Sequence, residues 1–186
     1  MAKYSGIFAS GRHTKRYQKE VSCMKIKRRD VIIVSLLLLA AAATASAAFG
    51  RWFNTDLAGS QEVPAVSTDT TGSASVHFNR ELTSADFRVT VRNGEDTTAA
   101  HLHCAPAGQN GPAVVHLFGN IPGGFDVNGT LARFTFTQAN IVADAGCSPA
   151  ITTMSQLAQA MRDGQIYANV HSITHPGGLI RGQLHE

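Results

Sequence analysis

The stretch Ala99–Pro112 reads A-A-H-L-H-C-A-P-A-G-Q-N-G-P, and it begins like a strand and ends like a loop. Successive strand side chains point to opposite faces of a sheet, so His101 and His103 are predicted to share one face. Cys104 belongs to the opposite face, with the small and apolar residues of the stretch. The Pro- and Gly-rich residues 106–112 then predict a stiff loop. The stretch therefore predicts either a metal site or a well-bonded sheet edge.

Short alternating segments on both sides of this stretch predict an all-β, antiparallel sandwich or Greek-key barrel. Asn93-Gly94 is a strong hairpin signal and predicts a turn between two of the strands. His175–Gly178 predicts a longer loop in a closing hairpin. The predicted strands are residues 53–66 (broken by a proline), 73–78, 86–92, 97–104, 113–118, 130–136, 165–172 and 179–185.

One short helix is predicted near residues 153–163. Thr153 and Gln156 have the spacing of a capping box, and Gly164 stands where a C-terminal cap is expected. The apolar residues between them recur at helical spacing and predict a stripe that packs on the core.

The N-terminal part of the chain has the order of a secretory signal peptide. A basic start at residues 24–29 precedes an apolar run, and Ala45-Ser46-Ala47 fits a cleavage site. We therefore expect a signal peptide at 24–47, a single mature domain at 48–186, and an over-called translation start at 1–23. The alternative is an uncleaved anchor, since the apolar run is about long enough to span a bilayer. Arg28-Arg29 partly resembles a twin-arginine signal, so the export route to a secreted or periplasmic location stays open.

The expected leader carries the positive charge of the chain. The part after residue 47 has seven Arg, no Lys and eleven acidic residues, a formal charge of −4. Nucleic acid is therefore not an expected partner, because nothing in this part forms a basic stripe. After signal cleavage we expect no membrane association either.

Two of the three cysteines, Cys104 and Cys147, lie in the expected mature domain. An isolated pair in an exported protein most often forms a disulfide, which would stabilise this fold by about 4 kcal/mol in the chain-entropy model. The alternative is that Cys104 joins the two histidines as a ligand. Its opposite parity disfavours that.

A second histidine-bearing strand lies near the C-terminus. Residues 166–171 alternate, so His171 shares its outward parity with Tyr167 and Asn169 while the apolar residues face the core. His116 lies in an apolar strand and is expected to be a satisfied core or edge histidine.

These histidines define a candidate metal site on the outer face of the barrel wall. His101, His103 and His171 come from two distant strands, and His175 in the following turn is a candidate fourth ligand. Imidazole groups suit copper and zinc, and two ligands two residues apart plus one from elsewhere is a common three-ligand geometry. The alternative is that His101 and His103 bond loop carbonyls and hold residues 105–112 in place.

Three segments resemble the CHRD domain family, named after chordin. They are L-A-G-S-Q-E-V-P at 57–64, A-H-L-H-C-A-P-A-G-Q-N-G-P-A-V-V at 100–115, and Y-A-N-V-H-S-I-T-H-P-G-G-L-I-R-G-Q-L at 167–184. The resemblance implies an immunoglobulin-like or Greek-key module in secreted proteins, and in chordin such domains belong to an extracellular antagonist of a growth factor. Leu179 replaces the acidic residue often seen before I-R-G-Q, which removes one carboxylate near His171.

A fainter similarity is to copper–zinc superoxide dismutase, which also places H-x-H on one strand and another histidine on a late strand of a Greek-key barrel. By order, His101, His103 and His171 match its copper ligands, and Arg181 matches the arginine beside the copper. The bridging histidine, the zinc cluster and the steering lysines of that family have no counterpart here. We therefore do not expect dismutase activity.

Two functional hypotheses follow. The first is a non-enzymatic extracellular binding or structural module, whose partner is an extracellular protein or surface component. The second is a copper- or zinc-binding protein, in which Tyr167, Asn169 and Arg181 surround the histidine ligands. A hydrolase is not expected, because the chain has no G-x-S-x-G motif and the cysteines are expected to pair.

Overall fold

The computed structural model describes residues 51–143 and 145–186, which form seven strands, one α-helix and two short 3-10 helices, Gly59–Gln61 and Gln138–Asn140. The expected signal peptide at 24–47 and the expected over-called start at 1–23 lie outside these residues. Among the described residues, no helix has the length and hydropathy needed to cross a membrane. The elements are β1 (Trp52–Ala58), β2 (Thr71–Phe78), β3 (Ser84–Cys104), β4 (Ala113–Phe118), β5 (Phe125–Thr137), α1 (Met154–Arg162), β6 (Ile166–Ser172) and β7 (Ile180–Gln183).

Five of the strands close into an antiparallel barrel. The first half of β3 pairs with β2 and its second half pairs with β6. β6 pairs with β7, β7 meets β1 at the pair Arg181–Ala58, and β1 pairs with β2. β4 and β5 add further pairings to β3. The predicted all-β antiparallel fold is confirmed, and of the two predicted architectures the chain adopts the barrel.

The predicted hairpin at Asn93-Gly94 is wrong, because β3 continues through it as one strand of 21 residues. Asn93 and Asp96 have φ of 53° and 48°, and the register with β5 shifts on both sides of Gly94. Asn tolerates positive φ in a bulge as well as in a turn, so the dipeptide bends the strand without reversing it. Gly94 is needed for close approach, since a Cβ there would lie 2.7 Å from the Val91 side chain and 2.8 Å from that of Val127.

The predicted helix is confirmed as α1. The Thr153 hydroxyl accepts from the Gln156 amide and the Gln156 side chain accepts from the Thr153 amide, which forms the capping box. The apolar stripe faces the barrel core and contains Met154, Leu157, Ala158 and Met161. A disulfide joins Cys104 at the end of β3 to Cys147 ahead of the helix, with the two Cα atoms 5.8 Å apart, and confirms the predicted pairing.

Strand β6 is buried along its whole length, although alternate side chains point out of the barrel. On its outward side, Tyr167, Asn169 and His171 are only 3%, 2% and 7% exposed. The candidate site was expected on the outer face of this wall, and at β6 that face is covered rather than exposed to solvent. Strand alternation predicts the direction of a side chain relative to the barrel, but loops from elsewhere in the chain determine whether that side is covered.

A candidate metal centre on the barrel wall

Antiparallel register brings three imidazoles together on the outward side of β3 and β6. His103 pairs with Tyr167, His101 with Asn169 and Ala99 with His171. His171 is thus the diagonal neighbour of His101, which is within reach of long side chains. The ring centroids lie 4.7 Å apart for His101 and His171, and 5.6 Å apart for His103 and each of the other two. One potential ligand atom from each residue lies within 4.8 Å of the others.

Backbone carbonyls set the tautomers of two of these histidines. His103 Nδ1 lies 2.9 Å from the Gly111 oxygen, and His171 Nδ1 lies 3.0 Å from the Pro176 oxygen. A carbonyl oxygen only accepts, so each Nδ1 carries the proton and each Nε2 keeps its lone pair. This is the arrangement in which metal-ligating histidines are commonly held, with the second ring nitrogen bonded to a carbonyl or carboxylate.

The remaining nitrogens of the cluster are used differently. His101 Nδ1 lies 3.0 Å from His171 Nε2, so in the metal-free protein His101 donates to the lone pair of His171. His103 Nε2 is buried and has no hydrogen-bond partner within the described structure. The expected hydrogen bond between a histidine and a loop carbonyl is present at His103, between its Nδ1 and the Gly111 oxygen. This bond leaves His103 Nε2 available as a ligand atom. At His101 the partner is another histidine.

Burial keeps the cluster uncharged. Desolvation lowers the pKa of His101 to about 3, with further lowering from the charges of His171, His103 and His116. Desolvation also lowers the pKa of His103 to about 4, partly offset by the bond to Gly111, and it lowers the pKa of His171. Neutral imidazole is the form that binds metals, so burial favours the metal-binding form of all three rings.

Tyr167 holds both His103 and the loop that covers it. Its ring stacks on the His103 ring at a centroid distance of 5.0 Å and an interplanar angle of 11°. Its hydroxyl accepts a hydrogen bond from the Gly111 amide at 3.2 Å. Gly111 lies so close to β3 that a Cβ would be 2.1 Å from the Cys104 oxygen. Only glycine therefore allows the loop to place its carbonyl against His103.

Arg181 fastens two loops over this wall. Its Nε donates to the Gln61 oxygen at 2.6 Å, and one terminal nitrogen donates to the Gln109 oxygen and to Asn110 Oδ1. Its guanidinium also lies 4.6 Å from the centre of the Tyr167 ring. Arg181 is 3% exposed, so these bonds are formed away from solvent, where losing them is costly.

Glu62 is a buried carboxyl group in this region that was not among the residues predicted for the site. It is 7% exposed, and its Oε1 and the Asn169 Oδ1 have no hydrogen-bond partner among the described residues. Desolvation raises the pKa of Glu62 to about 7, against the lowering effects of the Arg181 charge and the Asn169 side chain. Leu179, which stands where the CHRD family often has an acidic residue, is buried and apolar. Glu62 lies in the family motif L-A-G-S-Q-E-V-P. Its position beside Asn169 on β6 results from folding between distant parts of the chain, which the spacing of residues in the sequence does not show.

Two further histidines, His175 and His116, lie outside the group of three. His175, the candidate fourth ligand, lies outside the group of three, and its Nδ1 is 3.0 Å from the Thr174 hydroxyl. His116 on β4 is exposed and pairs directly with His101 across the sheet. The two rings meet edge to face with centroids 4.6 Å apart. His116 was expected to be a satisfied core or edge histidine; its exposure excludes the core, and β4 is a terminal strand in the sheet order.

Fold and site together define a small antiparallel β-barrel module with a histidine cluster beneath its covering loops. The family model of the CHRD domain matches residues 53–184, and the chain belongs to this family. The resemblance found in the sequence is thereby confirmed, and its three segments all contribute residues around the cluster. A search of curated proteins and a search of solved structures found no match.

Proposed function

We propose that this CHRD domain is an exported module that binds one copper or zinc ion through His101, His103 and His171. The observation that carries the proposal is the state of His103. Its Nδ1 is committed to Gly111, while its Nε2 is buried and has no hydrogen-bond partner among the described residues. A buried acceptor without a partner costs about 1–3 kcal/mol, and a bound ion would remove that cost.

The donor set selects among metals. Three neutral nitrogens without a thiolate in the cluster suit zinc and copper, and among divalent ions copper has the higher intrinsic affinity. The carbonyls of Gly111 and Pro176 would act as the outer partners that orient the ligands. Once bound, such an ion supplies Lewis acidity or a stable crosslink between β3 and β6. The chain's own residues hold the rings in place and keep them neutral.

Export is the second part of the proposal. The Cys104–Cys147 disulfide fits an oxidising compartment, where such bonds persist. The signal-peptide pattern of residues 24–47 leads to the same location. We expect the N-terminus of the protein recovered outside the cytoplasm to be at or near Ala48. Recovery of the intact segment 31–48 in the membrane fraction would instead identify an anchor.

A second candidate function rests on the hydrogen bond between His101 and His171. That 3.0 Å bond gives each ring a partner without an ion, as expected for a non-enzymatic binding or structural module that recognises an extracellular component. In this case the cluster serves only to fasten the loops over β6.

Metal titration separates the two functions. Protein purified without a histidine tag is stripped of metal and titrated with Cu(II) and with Zn(II) in a calorimeter. We expect one ion per chain, and loss of this binding in His103→Ala. His77→Ala is the matched control, because His77 stacks on Trp52 on another part of the barrel. Equal weak binding by all three proteins would favour the module without metal.

A further inference from the structure

His116 lies beside the histidine cluster on β4, and its side chain is exposed to solvent. β3 and β4 pair His101 with His116, and directly opposed side chains in a sheet lie close enough to interact. The His116 ring is exposed, whereas His171 on the opposite side of His101 is 7% exposed. His101 is therefore in ring contact with His116, His103 and His171, at centroid distances of 4.6, 5.6 and 4.7 Å.

We propose that His116 is a fourth ligand, which turns into the site when the ion is Cu(II) and completes a four-nitrogen centre. The inference rests on the proposed metal-binding function and specifies the ion that the site prefers. Before binding, the His116 nitrogens lie outside the group of atoms that are within 4.8 Å of each other. The required movement is a rotation of one exposed side chain, whose rotamers exchange rapidly.

The chemistry of the two candidate ions favours copper for this arrangement. Three histidines with an open fourth position suit zinc, which commonly completes its shell with water. Cu(II) prefers a tetragonal shell of nitrogen and oxygen ligands, and an imidazole that can enter from the solvent side supplies the additional nitrogen. The edge-to-face contact between the His116 and His101 rings, whose centroids lie 4.6 Å apart, places His116 next to the site before any ion binds.

Electron paramagnetic resonance on the Cu(II)-loaded protein tests the proposal. Pulsed spectra count coordinated imidazoles through their remote ring nitrogens, and this count is made for wild type, His116→Ala and the control His77→Ala. We expect four imidazoles in wild type and in His77→Ala, and three in His116→Ala. We also expect His116→Ala to weaken the binding of Cu(II) more than that of Zn(II), because zinc keeps its three buried ligands.

The outcomes distinguish this inference from the function on which it rests. Three imidazoles in wild type, unchanged in His116→Ala, would overturn the role of His116 while leaving the three-histidine site intact. Absence of stoichiometric Cu(II) binding in wild type would overturn both. The wild-type count stands on its own if His116→Ala proves less stable.

Discussion

His103 donates its Nδ1 hydrogen to the carbonyl oxygen of Gly111 over 2.9 Å, and this bond connects the histidine cluster to the loop that covers it. The same loop is held by Tyr167 and, through Asn110, by Arg181. In the proposed metal site, this loop orients His103 through the carbonyl of Gly111. The loop therefore provides ways to alter the site without replacing any histidine.

Gly111→Ala should displace the loop. The added Cβ would overlap the Cys104 oxygen, so either the loop or the end of β3 must shift. We expect a loss of about 1–3 kcal/mol in the free energy of unfolding, as for other overpacked sites, together with weaker copper binding. Thermal melts and calorimetric titration measure the two effects. Unchanged values in both would show that the loop does not control the site. Gly108→Ala is the control, since no atom lies within 4 Å of a Cβ at that position, although its φ of 80° adds some strain of its own.

Arg181→Met should loosen both loops while keeping most of the side-chain volume. The replacement leaves the carbonyls of Gln61 and Gln109 without their donor, at a cost of about 1–3 kcal/mol for each acceptor that stays buried. Amide hydrogen exchange should accelerate in residues 59–63 and 105–112 ahead of the barrel strands. Exchange that accelerates equally throughout the barrel would contradict this local role.

The histidine cluster should make the metal-free protein less stable in acid. His101 and His103 have pKa values of about 3 and 4 in the folded state, against 6.5 for an unperturbed histidine. Between the folded-state and the unperturbed pKa values, the unfolded chain binds more protons than the folded protein. The contribution of these histidines to the free energy of unfolding is therefore fully present above pH 6.5 and is lost as the pH falls toward 4. The upper limit is about 1.4 kcal/mol per pKa unit, reduced by solvent screening because both rings are partly exposed.

Urea unfolding of wild type and His103→Gln at pH 7 and pH 5 measures the effect. We expect wild type to lose more stability than the variant between the two conditions. Equal losses would show that His103 titrates normally in the folded protein.

Glu62 should make the protein less stable as the pH rises, which is opposite to the effect of the histidines. Its pKa is about 7 in the folded state and 4.5 when unperturbed, so between these values the folded protein binds more protons. Its contribution is present below pH 4.5 and is lost as the pH rises through 7. Glu62→Gln should therefore gain stability relative to wild type between pH 5 and pH 8, as followed by urea unfolding. A constant difference between the two proteins would mean that Glu62 is already ionised at pH 5.

Much of this arrangement follows from local sequence pattern. The period of two in Ala99–Cys104 and in 166–171 predicted the faces of His101, His103 and His171, and helical spacing with a capping box predicted α1. The family segments identified the domain, and the cysteine count predicted the disulfide. Most of these predictions rest on patterns within a few neighbouring residues. The disulfide prediction rests on there being only one pair of cysteines in the expected mature domain.

Features that depend on long-range approach were not predicted. Asn93-Gly94 suits a turn and a bulge equally well, and only the pairing of β3 with β5 decides between them. Glu62 reaches β6 from a loop, and His116 meets His101 only because β4 pairs with β3 in that register. Loops cover the outward side of β6, and the alternation of residues in the strands does not predict where those loops run.

Nitrogen NMR of the imidazoles during zinc titration tests the central claim most directly. In metal-free protein at pH 7, His103 and His171 should both be neutral, with Nδ1 protonated and Nε2 carrying the lone pair. One equivalent of Zn(II), which is diamagnetic, should shift the ligating nitrogens of His101, His103 and His171 together and leave His77 and His185 unchanged. Resonances of the three clustered histidines that do not move at one equivalent, or shifts confined to the exposed histidines, would contradict the account.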